Sequence, residues 1–462
     1  NSDGVPDIVI AAGRDDTAGE SAGAVYIFYG ASEDEVLQDS AASASDVVVL
    51  GAMEGDRLGS SLATGDVNAD GHTDLVIGAP RSDNGAQDAG EVLIFLGPLP
   101  ESASLSAADA DIILTGEGTR AGAWYGVMGD LFGSAIALGD LDGDAVLDIC
   151  VGAPGADLYV GESGEVEDAG RAYVFTGGGL LESMSADQAT MIVEGGKESD
   201  ELGSDVCLLD INADGLADLA AGFDVALSGA NHRGSVAIFT ELVTSASIEQ
   251  ADIVITSLEN GDLFGGALSC GDINGDGAED MIIGASGSNA LGSVTGRVYV
   301  FLGAESFDSR FADAADVIFS GQISNARFGS ELASADVNGD GIDDTLVGAP
   351  FTSYAATWDG QVFVFFGNEA PVDTVAYHGD VVITGESMNG ERFGSSIEVL
   401  DCDSDGVADL MSAATGHGGL SGRVYMFHGE EGLSDQGADS DDLTLTGESE
   451  GGSFGSSISR GK

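Results

Sequence analysis

The chain repeats itself seven times, and a repeat of this length leaves few folds open. The segment LGSSLATGDVNADGHTDLVIGAP occupies residues 58–80. Related segments start at Phe132, Leu202, Phe264, Phe328 and Phe393, so repeats begin near 58, 132, 202, 264, 328 and 393. A seventh is divided between the two ends, with FGSSISRGK at residues 454–462 and NSDGVPDIVIAAG at residues 1–13. The repeat glycines Gly59, Gly133, Gly203, Gly265, Gly329, Gly394 and Gly455 recur every 61 to 74 residues.

Each repeat also holds a second apolar run, such as GRVYVFLG at residues 296–303, and a third, such as DVVITG at residues 380–385. These runs are short, rich in Val, Ile, Tyr and Phe, and bounded by Gly, Asp and Ser, which is the pattern of strands. Helical periodicity is missing, and Ala/Ser/Asp stretches such as residues 102–110 read as loops or single turns. Four antiparallel strands per repeat, seven times over, predict an all-β, seven-bladed β-propeller spanning residues 1–462 as one domain. Its closing blade is expected from residues 454–462 plus 1–50, because a ring must be sealed and complementary half-repeats at both ends can seal it.

Between the first and second strands lies D-x-[DN]-x-D-G-x-x-D. Six copies supply oxygen side chains at positions 1, 3, 5 and 9 and a backbone carbonyl at 7. They are Asp66, Asn68, Asp70, Asp74 with the His72 carbonyl; Asp140, Asp142, Asp144, Asp148 with Val146; and Asp210, Asn212, Asp214, Asp218 with Leu216. The others are Asp272, Asn274, Asp276, Asp280 with Ala278; Asp336, Asn338, Asp340, Asp344 with Ile342; and Asp401, Asp403, Asp405, Asp409 with Val407. Hard oxygens at this spacing can wrap a Ca²⁺ ion, whereas Mg²⁺ demands a tighter octahedron. Carboxylates packed into nine residues repel one another unless a cation neutralises them. About six Ca²⁺ ions are therefore expected. Ala145 replaces glycine at position 6 of the second loop, so a strained or altered turn is expected there. In the seventh, Asn1, Asp3 and Asp7 match positions 3, 5 and 9, but Lys462 falls where the first Asp belongs, so a weak or empty site is expected.

Calcium does not account for the composition. The chain carries 80 acidic residues against 14 Lys and Arg, a net charge of −66, and most of the acids lie outside these loops. Such a surface suits a salty medium, where ions screen self-repulsion. It excludes nucleic acid and an anionic membrane as direct partners. No run approaches 18 apolar residues, so membrane insertion is not expected. Four cysteines make no disulfide framework. Cys150, Cys207 and Cys270 read as small buried hydrophobes, while Cys402 should face away from its acidic loop.

The FG start, the acidic loop and the GAP triplets at Gly78, Gly152 and Gly348 resemble the FG-GAP repeats of the integrin α-subunit propeller. The triplet departs to GFD at Gly222, GAS at Gly284 and AAT at Ala413. The resemblance implies an extracellular ligand-binding or adhesion module, part of a larger polypeptide, taking a glycan or protein ligand. It does not fix the ligand, since bacterial surface proteins, lectins and modules of hydrolases or lyases share the repeat.

Strand parity assigns the faces. The 1–2 and 3–4 loops share one face with the acidic motifs, and the 2–3 and 4–1 loops form the opposite face, where function is expected. The 4–1 connection over residues 116–131 contains Arg120, Trp124 and Tyr125, and two 2–3 loops contain Tyr159 and Tyr354 with Trp358. Rigid aromatics stack on sugars or anchor side chains at low entropic cost. Arg14 and Arg81 open two further loops and are notable because cations are scarce. No Ser/His/Asp order, HExxH or phosphate loop stands out among residues that include only five histidines, so a binding protein and not an enzyme is expected. His428, at a strand end, is expected to be packed or on a rim. The alternatives are a domain of a carbohydrate-active enzyme and a ligand-free spacer.

Overall fold

The computed structural model describes residues 1, 3–30, 38–84, 86–118, 129–159, 165–197, 199–223, 233–241, 244–354, 356–386, 388–430 and 433–461. Seven sheets radiate around a common axis, and the protein is a seven-bladed β-propeller. In the blade that starts at Leu58, the strands run outward as Ser61–Gly65, Asp74–Ala79, Glu91–Phe95 and Ile112–Thr115, each antiparallel to the last. The second strand is buried along its whole length, as expected for a layer packed between two blades. One sheet joins both parts of the chain: Phe454–Gly461 pairs with Asp7–Ala12, in register from Asp7 opposite Gly461 to Ser457 opposite Ala11.

Each blade carries a fifth short strand that the sequence pattern does not reveal. Met184–Ser185, from the next repeat, adds in parallel to Ile112–Thr115, and Ala103–Ser106 adds likewise to Val47–Leu50 of the closing blade. A single 3-10 turn follows each, such as Ala107–Asp109. The added strand covers backbone groups that would otherwise remain an open sheet edge. These segments are too short and polar to display a strand period.

The FG and GAP motifs meet between blades. A Cβ placed on Gly78 would lie 2.2 Å from the carbonyl oxygen of Gly133, so the triplet glycine of one blade lies back to back with the FG glycine of the next. The same approach recurs at Gly152 with Gly203, Gly222 with Gly265, Gly284 with Gly329 and Gly348 with Gly394. The preceding phenylalanine fills the space alongside. Phe132 is fully buried, edge-on to Tyr173 at 5.4 Å and to Phe175 at 6.1 Å.

The innermost strands surround an axial channel with a cavity of 380 Å³, lined by serines together with Asp205, Glu331 and Glu398. Burial, with Asp205 adding to it, pushes the Glu331 carboxyl up to about 8, and burial pushes Glu398 up to about 7. Cys150 is buried. Cys207 and Cys270, on neighbouring first strands, are not merely separate fillers: their sulfurs lie 2.7 Å apart.

Candidate functional site

The acidic hairpins share one local geometry, dictated by the order of their side chains. In the first, Asp66 accepts the N–H groups of Asp70 (3.1 Å) and Gly71 (2.8 Å), Asn68 accepts that of Asp70 (2.8 Å), and Asp70 accepts that of His72 (2.9 Å). This ladder bends the chain so that the side-chain oxygens turn inward. The sixth position is left-handed throughout, with φ of 88° at Gly71 and 65° at Ala145. Ala145 therefore keeps the turn in a conformation that costs a residue with a Cβ, rather than altering it. The bond from Ala145 N–H to Asp140 matches that of Gly71 to Asp66.

The ninth residue has a second task. Asp74 is fully buried and accepts the N–H of Val67 at 3.0 Å and that of Gly97, in the 3–4 loop, at 2.8 Å. Asp148, Asp280, Asp344 and Asp409 hold their two loops together in the same way. This places the 1–2 and 3–4 loops on one face. Burial, opposed by these N–H groups and reinforced by neighbouring loop carboxylates, pushes Asp218, Asp280 and Asp344 up to about 7. Asp74 and Asp148 are raised for the same reason.

Three ligand atoms from Asp140, Asp142 and Asp148 lie within 4.8 Å of one another, as do those of Asp401, Asp403 and Asp405. Buried or converging carboxylates with this donor chemistry fit a hard divalent cation. Neighbouring loops are joined directly: the carbonyls of Asp140, Asp272 and Asp336 accept N–H bonds from Ala217, Asp343 and Ala408 of the following blade. Asn1 and Asp3 copy the ladder, with the Asp3 N–H donating to Asn1 at 3.0 Å, and the amino group of Asn1 lies 3.0 Å from Asp7.

His428, from a 3–4 loop, reaches the sixth hairpin. Its Nδ1 lies 3.2 Å from Asp409 and 3.5 Å from Asp403. Burial lowers its proton affinity, but Asp409, Asp442 and Asp403 outweigh that and leave it raised. A separation of 19 positions between Asp409 and His428 hides this contact from any local motif. Cys402 is half-buried and packs against the neighbouring core, but its thiol also meets the Asp409 carboxylate of its own loop, contrary to the expectation that it faces away; burial and Asp409 push the thiol up.

On the opposite face, 2–3 and 4–1 loops are bound to each other. Arg81 N–H donates to the Asp56 carbonyl and Arg14 N–H to that of Gly452. Tyr354 and Trp358 are both exposed there, at 68% and 44%. Trp358 stands edge-on to Phe351 at 5.9 Å. Arg120, Trp124 and Tyr125 lie outside the described residues, as does the side chain of Tyr159. A further cluster passed over in the sequence joins Glu386, Glu391 and His417, with Tyr425 donating to Glu391 at 2.7 Å.

Closed ring, back-to-back glycines and oxygen-lined hairpins together define the class: a propeller whose blades are fastened on one face and whose loops are free to vary on the other. The chain carries FG-GAP repeats within its propeller and is similar in sequence to integrin α-subunits. The FG-GAP repeat family matches residues 58–95, 132–175, 264–301 and 328–365. Integrin alpha-4 of Xenopus laevis is 30% identical over 196 residues, covering 42% of this chain and 18% of the integrin. The phosphatidylinositol-glycan-specific phospholipase D of Homo sapiens is 27% identical over 418 residues, covering 81% of this chain and 46% of that protein. The chain thus spans less than half the length of these relatives. Among solved structures, the rhamnogalacturonan lyase PL11 of Bacillus licheniformis shares 11% identity at a TM-score of 0.37, covering 80% of this chain and 59% of that one, a likeness too slight to carry an argument.

The phospholipase D match corrects one expectation. The absence of a catalytic motif had pointed away from enzymes, yet a relative aligned along most of this chain is named for an enzymatic activity. The aligned part is 46% of that protein, so the motifs sought in this chain bear on only part of such a relative. Among the described residues, no helix is long and apolar enough to cross a membrane.

Proposed function

We propose that this propeller is a calcium-stabilised ligand-binding module of a larger extracellular protein. The observation that carries the reading is one hairpin recurring six times, with carboxylate oxygens brought within 4.8 Å of one another in two copies and a buried ninth Asp tying two loops together in five. A divalent ion at each hairpin would supply the positive charge that these carboxylates lack, and the direct bonds between neighbouring hairpins would spread that rigidity around the ring. The ligand, a glycan or a protein surface, would meet the opposite face at Tyr354 and Trp358, where exposed aromatic area is available. The integrin relatives favour a protein-binding or adhesive role outside the cell.

A second reading is favoured by the alignment along 81% of the chain with phospholipase D: the propeller is a domain of a hydrolase and holds the substrate of that enzyme. One experiment tests the calcium claim for both. Exhaustively desalted protein is assayed for bound metal and melted with calcium or with a chelator. About six calcium ions per chain and a lower melting temperature in chelator are expected, because ions that bind only the native state stabilise it by mass action. Metal-free protein that melts unchanged refutes the reading.

A further inference from the structure

Fourteen Lys and Arg residues face 80 acids, so each cation has ample choice of partner. Arg171, Arg297, Arg310 and Arg423 use it, each lying within 4.0 Å of a carboxylate. Arg14, Arg57, Arg327 and Arg392 do not: no carboxylate of the described residues lies at ion-pair distance from any of them. These four share an address. Arg14 directly follows the triplet position of its blade, as Arg81 and Phe351 do in theirs. Arg57, Arg327 and Arg392 directly precede the Leu-Gly or Phe-Gly step, held in left-handed backbone with φ of 57°, 55° and 60°. Both positions lie where 2–3 loops meet 4–1 loops, on the face opposite the acidic hairpins.

Ring geometry turns this into an arc across four consecutive blades. Arg327 and Arg392 both lie over the ring of Phe351, at 5.5 and 5.6 Å. The backbone N–H of Arg392 donates to the Trp358 carbonyl at 2.9 Å, and both residues touch Phe351, Arg392 over its ring and Trp358 edge-on to it. Further along, burial and then the nearness of Arg81 and Arg14 lower the proton affinity of Arg57, with Asp88 acting against this. The adjacent acids are turned away: Asp56 and Glu391 are buried at 3% and 1% exposure, and Glu391 takes the Tyr425 hydroxyl instead. Guanidinium groups with no carboxylate of the described residues at ion-pair distance, and only the more distant Asp88 acting on Arg57, await an anion supplied from outside in a molecule of charge −66.

We propose that this rim binds an acidic polysaccharide, its carboxylate or sulfate groups on Arg327, Arg392, Arg14 and Arg57 and its sugar rings against Trp358 and Tyr354. The inference rests on the ligand-face reading of the proposed function and names the ligand class for it. Guanidinium groups grip carboxylate and sulfate with paired N–H bonds. Flat exposed aromatics beside them suit the apolar face of a pyranose better than a flexible acidic side chain, and an arc over several blades suits a linear chain of repeating charge.

Binding is tested by calorimetry with the chain as it stands, in calcium buffer at about 0.15 M salt, where the Debye length of about 8 Å screens the repulsion from the rest of the surface. The probes are hyaluronate and chondroitin sulfate octasaccharides, neutral chitohexaose, and polyglutamate of matched charge. At least one acidic octasaccharide is expected to bind about tenfold or more tighter than chitohexaose and polyglutamate, and to lose about tenfold or more in the Arg327→Gln, Arg392→Gln double variant. Arg310→Gln, paired with Asp316 elsewhere, serves as the control with unchanged affinity, and equal melting temperatures establish that the variants are folded. Failure of both octasaccharides to bind, equal binding of polyglutamate, or an unaffected double variant overturns the proposal. If chitohexaose binds as well as the acidic probes and Trp358→Ala abolishes it, the arginine assignment falls while the ligand face stands; binding of a ligand indifferent to every one of these substitutions removes both.

Discussion

Replacing Asp344 by alanine separates the scaffold role of a hairpin carboxylate from its metal role. Asp344 is fully buried and accepts the N–H of Val337 at 3.0 Å and that of Gly367 at 2.9 Å. Truncation strands two buried backbone donors at about 1–3 kcal/mol each, or about 2–6 kcal/mol together, and frees the Asn338 amide that also donates to Asp344. Unfolding 462 residues at about 2.1 cal/mol/K each makes one kcal/mol worth about 1 °C. The melting temperature of Asp344→Ala is therefore expected to fall by about 2–6 °C even in chelator. Asp340, in the same hairpin, is exposed and accepts the Ile342 N–H at 3.0 Å, a donor that water can satisfy. Asp340→Ala should melt within about 0.5 °C of the parent in chelator yet show a smaller rise on adding calcium. Scanning calorimetry of both variants under both conditions decides. Equal losses in chelator, or none for Asp344→Ala, would show that the buried N–H bonds do not fasten the two loops.

Other expectations follow from the same geometry. Asp218, Asp280 and Asp344, pushed up to about 7 by burial, favour the protonated folded state, so their contribution is complete below the ordinary carboxylate range and lost as pH rises through about 7. Chelated protein should melt higher at pH 5 than at pH 8, and calcium should reduce or reverse that difference; a chelated melting temperature that rises with pH refutes this. Gly78→Ala drives a methyl group against the Gly133 carbonyl and is expected to cost about 3 kcal/mol or more with calcium and without it, read as a lower melting temperature in both buffers. Phe132→Ala empties a buried site between Tyr173 and Phe175 and should cost about 3–5 kcal/mol by the same measurement.

The propeller and its hairpins were legible because both are written in short range. A strand needs five or six neighbours, and the nine-residue loop contains all four of its side-chain ligands, so the order from Asp66 to Asp74 carries the whole site. What stayed hidden depends on ring closure. His428 joins Asp403 and Asp409 only because the third and fourth strands return to the same face. Arg327 and Arg392 belong to different repeats, 65 positions apart, and only the radial packing brings both over Phe351. The paired sulfurs of Cys207 and Cys270 have the same origin, since neighbouring first strands converge at the axis. Arg14 and Arg81 drew notice by scarcity alone, while Arg57, in the equally constrained position before Leu-Gly, did not. The fifth strands eluded pattern reading because two residues, as in Met184–Ser185, hold no period.

The strand that each repeat lends to its predecessor bears on how the molecule fails. Ala103–Ser106 lies on the closing blade, Met184–Ser185 on the blade before its own, and so on around the axis. Every sheet is thus finished with borrowed material. A molecule assembled this way cannot shed one segment as a stack of coins loses its top piece; detaching any blade bares the flank of the one behind it and removes the wall of the one ahead. It should yield as a hoop yields, in a single event.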